Sequence, residues 1–151
     1  MRLLVPTAIC VLGAATLVDA SEKRVKMKDL PPAVQKTVQE QSKGATLRGL
    51  ARETEGGKTF YEAELKVNGH GKDVLIDPAG AVVEVEEEMP LASVPSPVQE
   101  AIRKYAGSGK ILLVESVTKD GSVTYEAHVR KAGKKSEIKV DSAGRLLSGG
   151  Q

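Results

Sequence analysis

From Thr59 to Val67 the chain reads TFYEAELKV, and from Val123 to Lys131 it reads VTYEAHVRK. Successive side chains of a strand point to opposite faces, so Tyr61, Ala63, Leu65 and Val67 share one face while Phe60, Glu62, Glu64 and Lys66 share the other. The second stretch divides in the same way, with Tyr125, Ala127 and Val129 against Glu126, His128 and Arg130. Val74 with Ile76, and Ile138 with Val140, extend the apolar layer. Gly56-Gly57, Asn68-Gly69 and Pro78-Ala79-Gly80 punctuate the first set of strands; Asp120-Gly121, Ala132-Gly133 and Ser142-Ala143-Gly144 punctuate the second. Those are hairpin and turn signals at antiparallel spacing.

A helix precedes each set. Val98, Ala101, Ile102 and Tyr105 recur at helical spacing, Pro97 suits a first turn, and Ser96 with Gln99 has the form of a capping box. The earlier helix is weaker, with Val34 and Val38 as its apolar positions and a Pro31-Pro32 start without a side-chain cap. The two halves match at a single offset of 64 residues: Pro31, Val34 and Gln35 return as Pro95, Val98 and Gln99, and Asp77, Ala79 and Gly80 return as Asp141, Ala143 and Gly144. Identities at every turn and helix start mark a tandem duplication. The expected fold is α+β, built from two αββββ units.

Composition places this unit outside the cytoplasm. Met1-Arg2 carries a positive charge, Leu3 to Val18 is almost wholly apolar, and Val18-Asp19-Ala20 has small residues where a signal peptidase cuts. Residues 1–20 therefore read as a cleaved signal peptide, too short in its apolar run for a stable membrane anchor. Cys10, the single cysteine, lies inside that run, so the mature chain is expected to have no disulfide. Charge is unevenly shared: Leu30 to Glu88 holds seven basic and eleven acidic residues, a net of −4, while Val94 to Gln151 holds ten basic and six acidic, a net of +4.

Leu30-Pro31-Pro32-Ala33-Val34 and Val94-Pro95-Ser96-Pro97-Val98, each followed by a Tyr-Glu-Ala strand and an Asp-x-Ala-Gly turn, resemble PepSY-like domains of the group related to β-lactamase inhibitor proteins. The resemblance covers the mature chain, with one repeat in residues 21–89 and the other in 90–151. It implies a curved antiparallel sheet with both helices on one side, in a periplasmic or secreted bacterial protein with a non-enzymatic binding or inhibitory role. Inhibitors of this family present aromatic side chains on the open sheet face, where this chain offers Phe60.

Candidate chemistry is sparse. Nucleophilic catalysis needs a hydroxyl or thiol beside a base, but His70 is flanked by glycines in a turn and His128 alternates with Glu126 and Arg130 on a strand. No catalytic residue, metal site or cofactor is expected. The acidic run Glu84, Glu86, Glu87 and Glu88 supplies oxygens of the kind calcium takes, yet its alternation reads as a solvated strand face. Lys131, Lys134 and Lys135 form a basic hairpin suited to an anionic surface or acidic protein; without aromatic platforms it does not suggest nucleic acid. The expected function is a protein-binding module of the envelope, an inhibitor of a secreted enzyme such as a peptidase being one form of it. Its working residues would be Phe60, Glu62, Glu64, Lys66, Glu126, His128 and Arg130. The alternative is an envelope carrier or sensor of a small ligand or cation, seated near the acidic strand face of the first copy.

Overall fold

Alternation along the chain becomes one antiparallel sheet of nine strands whose spatial order follows the sequence from first to last. The computed structural model describes residues 21–149, so the expected signal peptide lies outside the described residues. β1 (Ser21–Arg24), β2 (Thr46–Glu55), β3 (Lys58–Val67), β4 (His70–Ile76) and β5 (Val82–Glu88) are followed by β6 (Lys110–Lys119), β7 (Ser122–Lys131), β8 (Lys134–Asp141) and β9 (Leu146–Gly149). Helix α1 (Pro32–Gln41) joins β1 to β2, and α2 (Ser96–Ala106) joins β5 to β6. Tight hairpins form where the sequence places them. Both central residues have positive φ at Asn68-Gly69 (50° and 89°) and at Ala132-Gly133 (48° and 79°), the requirement of a turn that matches strand twist.

The offset of 64 extends to the pairing itself. Ser21 opposes Thr54 in β1 and β2, and Val85 opposes Thr118 in β5 and β6. Irregularities repeat too, with register shifts at Leu47/Gly49 and at Ile111/Leu113. Strand β5 therefore closes the first copy and opens the second, while β1 holds the corresponding place at the start of the sheet. The sequence pattern does not reveal β1: Ser-Glu-Lys-Arg lacks an apolar face, and its pairing is supplied by the edge of β2.

Both helices cover one face. Val34 and Val38 of α1 pack with Leu30 on Leu50, Ala63, Leu65, Val74 and Ile76. Val98, Ala101, Ile102 and Ala106 of α2 pack on Val114, Ala127, Val129, Ile138 and Val140. Burying each of these larger aliphatic side chains contributes about 1.5–3 kcal/mol. Helix starts differ from the expected capping box. Pro95 is the N-cap, Ser96 is the first helical residue, and no side chain caps either helix. Instead Gln99 turns back to donate its amide to the Val94 carbonyl at 2.9 Å, and Gln35 does the same to Leu30 at 2.9 Å, which explains why this glutamine is repeated. The Asp-x-Ala-Gly turns are structural, as their pattern suggests. Asp77 accepts from the Ala81 N–H at 2.9 Å, and Gly80 (φ 89°) approaches α1 so closely that a Cβ there would lie 2.9 Å from the Ala33 carbonyl oxygen.

Candidate functional site: the uncovered sheet face

The face opposite the helices is covered by no other element among the described residues, yet much of it is buried. Its floor is apolar: Ala51 on β2, Leu75 on β4 and Val117 on β6 are 0%, 5% and 2% exposed. Acidic side chains rise around that floor. Glu62 stands between Ala51 and Leu75 in register, Leu75 opposes Glu84, and Glu86 opposes Val117. Glutamate stems have little else to pack on, and laid across these residues they shelter one another from water. Glu62, Glu84, Glu86, Glu115 and Glu126 are consequently buried. The expectation of a solvated face at Glu84 and Glu86 is thus corrected. Glu87 is exposed beside Lys72, and Glu88 accepts from the Gly71 N–H at 2.8 Å.

Like charges lie directly opposite one another in this sheet, an arrangement that destabilises a strand pair. Asp73 opposes both Glu64 and Glu86, and Glu115 opposes both Glu88 and Glu126. Part of the charge is neutralised internally. Arg24 bridges Glu64 and Glu22, Lys119 meets Glu84 at 2.8 Å, His128 meets Glu115 at 3.2 Å, and Lys139 meets Glu126. Carboxylate oxygens of Glu22, Glu62 and Glu64 come within 4.8 Å of one another, and the Arg24 guanidinium serves two of these three groups.

Carboxyls without a basic partner behave differently. Burial first, then the charges of Glu53 and Asp73, pushes Glu62 up to about 9. Burial, with Glu115 and Glu126 adding to it, pushes Glu86 up to about 8. Asp73 is raised to about 7 by burial and by Glu64, and Glu137 to about 7 by burial and by Glu126. Burial also raises Glu53. His128 is raised as well, because the Glu115 carboxylate stabilises its protonated form. Glu62, Asp73, Leu75, Glu84 and Glu86 surround a depression of about 10 Å³, roughly the space for one water.

The residues expected to face a partner all lie on this uncovered side by register, but they do not converge. Phe60, half-buried opposite Glu53, and exposed Lys66 are at opposite ends of β3, about 20 Å apart at strand rise. Glu62 is buried and Glu64 is held by Arg24. Glu126 pairs with Lys139, and His128 is half-buried against Glu115, not a free solvent-facing residue. Arg130 is exposed, opposite Lys110 on one side and Lys135 on the other. His70 is the exposed first residue of β4. The charge pattern is therefore an acidic band across both copies with a basic row at one end of the second, not an acidic copy beside a basic one. Sequence reading missed Glu53, Asp73, Glu115 and Glu137. A signal existed for two of them, because Asp73 and Glu137 are acidic at the same offset as Glu62 and Glu126.

A family model described as "Putative beta-lactamase-inhibitor-like, PepSY-like" matches residues 13–84 and again 59–148. The chain belongs to the PepSY-like family. The two matches overlap over residues 59–84, the second beginning within the first copy. Solved structures with the same fold include a "putative periplasmic" protein of Bacteroides eggerthii, 22% identical, with TM-score 0.67 over 80% of this chain and 87% of that one. A DUF2874 family protein of Bacteroides uniformis is 22% identical, with TM-score 0.64 over 79% and 87% of the two chains. A BLIP-like protein of Bacteroides fragilis is 21% identical, with TM-score 0.61 over 80% and 84%. No curated protein matches the chain.

Proposed function

We propose that this PepSY-like protein is an exported, non-enzymatic binding module whose uncovered sheet face receives a cationic segment of another protein. The observation that carries the reading is the acidic band: carboxylates set opposite one another, on a face that no helix covers, lower the stability of the free protein and are relieved when positive charge arrives. Charge complementarity of this kind sets partner choice and encounter rate. Phe60, at the rim of the band, is the apolar anchor, and such anchors carry a large share of binding energy. The family description supports an inhibitor-like role, and the names of structural relatives support a periplasmic location. Inhibition of a secreted enzyme is the specific form we favour, with a basic loop of that enzyme lying across β3 to β5. No helix among the described residues is long and apolar enough to cross a membrane.

The test is capture from native envelope extract with immobilised mature protein, comparing wild type, the pair Phe60→Ala with Glu64→Lys, and the helix-side pair Lys36→Glu with Lys43→Glu. The reading expects a retained basic protein to be lost in the first variant and kept in the second. Loss with the helix-side variant and retention with the sheet-face variant would place the working surface on the other side. Glu62 is left intact in this comparison, since it is buried and its reversal would perturb folding.

A further inference from the structure

We propose that the end of the second copy formed by the β7–β8 hairpin, the start of β6 and the close of α2 is a docking surface for an anionic lipid bilayer, whose headgroup phosphates its cations contact. The first observation is the register of those cations. Lys110 opposes Arg130, Arg130 opposes Lys135, and Lys131 opposes Lys134. Positive charges thus face one another at the ends of three adjacent strands, an arrangement that destabilises a sheet. All five side chains are exposed, and none is in an ion pair among the described residues. Lys104, exposed in the last turn of α2 with its ammonium 5.4 Å from the Tyr105 ring centre, adds a sixth charge.

The second observation comes from the other copy. At the offset of 64, Lys104, Lys110, Arg130, Lys131, Lys134 and Lys135 correspond to Glu40, Thr46, Lys66, Val67, His70 and Gly71. The first copy therefore builds the same helix end and the same hairpin with one lysine and one glutamate at these places. The fold does not need the charge. Folding gives no account of six cations that repel one another, whereas a ligand that brings negative charge does.

The placement of the charges selects a plane over a strand or loop. By alternation Lys110, Arg130 and Lys135 take the uncovered face, while Lys131 and Lys134 take the side of the helices, where Lys104 also lies. A segment lying on one face would meet half the set. A broad anionic surface set across the end of the sheet meets all six, and bilayers with anionic headgroups attract polybasic clusters in this way. The acidic band does not oppose the approach, because Glu126 is four residues from Arg130 along β7, about 13 Å at strand rise. That exceeds the Debye length of about 8 Å at physiological salt. Leu112, the extra residue of the β6 bulge, is 38% exposed two positions from Lys110 and adds apolar area at the headgroup boundary. Docked by this end, the chain keeps its acidic face clear of the membrane, so the proposal stands whatever that face binds.

Flotation of the mature chain with vesicles of phosphatidylcholine alone, and with about 30% phosphatidylglycerol, tests the proposal. The expected result is flotation with the anionic vesicles alone, weakened at least tenfold between about 50 and about 200 mM salt. Lys131→Gln, Lys134→Gln and Lys135→Gln together should weaken it at least tenfold. Lys28→Gln, Lys36→Gln and Lys43→Gln together, which remove the same charge from the first copy, should change it less than twofold. All six substitutions fall at exposed positions, and removing like charges from β7 and β8 should leave the melting temperature no lower. Equal flotation with both kinds of vesicle, or none with the anionic vesicles at low salt, would overturn the proposal. So would equal weakening by the two triple variants, which describes net charge and not a docking surface. Capture of soluble polyglutamate without flotation of anionic vesicles would overturn it as well, and would assign the end of the sheet to an acidic protein.

Discussion

Replacing Glu86 by glutamine should stabilise the free protein. Raised from 4.5 to about 8, the Glu86 carboxyl contributes stability that is fully present below about pH 4.5 and is lost as pH rises through about 8. At pH 8 the shift corresponds to about 4 kcal/mol of native-state cost. Water at the depression and relaxation of the neighbouring Asp73 and Glu115 chains screen a large part of this, leaving about 1–2 kcal/mol for the variant to recover. Glutamine keeps the shape and can donate to Asp73 or Glu84, so no cavity or unpaired group offsets the gain. For a domain of this size that is an increase of about 3–8 °C in melting temperature. Thermal melts followed by circular dichroism, at pH 8 and at pH 4.5, provide the assay. The gain should be present at pH 8 and nearly absent at pH 4.5, where the wild-type carboxyl is protonated when folded. A Glu86→Gln protein less stable than wild type at pH 8 would refute the argument that this acid is held at a cost.

Three further outcomes follow from the fold. Because Glu62, Asp73, Glu86 and Glu137 are all raised, the wild type should be most stable on the acid side of neutrality and should lose stability from about pH 5 to 9, read as denaturant midpoints across that range. Ala132, at φ 48° where the first copy has Asn68, should tolerate Asn or Gly with a gain of about 0.5–1 kcal/mol in chemical denaturation; a loss would mean the turn is not strained. Cutting the chain after Met89 removes β6, the partner of β5, and leaves a unit too small for an independent core; it should be unfolded or oligomeric while the full chain melts once. Two separate transitions in the full chain, each reproduced by an isolated repeat, would contradict that.

The architecture was legible wherever local chemistry and repetition agreed. Alternation at Tyr61, Ala63 and Leu65 set the core face, Asn68-Gly69 and Asp120-Gly121 set the hairpins, and the offset of 64 joined them into two units. Strand β1 was not legible, since Ser21–Arg24 has polar side chains throughout and owes its conformation to the edge of β2. Nor was the capping of α2, where Pro95 takes the N-cap position and Gln99 secures the start by a backward hydrogen bond. The candidate site was half legible. Alternation assigned Glu62 and Glu126 to the uncovered face, but period two says only which face a side chain takes. Whether that face is wet depends on residues two strands away, and here Ala51, Leu75 and Val117 give the acids an apolar floor on which to lie. That floor turns a charged strand face into a set of buried carboxylates.

The most direct measurement is photo-cross-linking in the native envelope, with a benzophenone side chain placed at position 60 on the uncovered face and, in a second protein, at position 36 on the helix side. The account predicts a discrete protein adduct from position 60, abolished by Glu64→Lys and weakened by raised salt, with none from position 36. Adducts from position 36 alone, or adducts at position 60 indifferent to Glu64→Lys, would contradict the assignment of the acidic sheet face as the working surface.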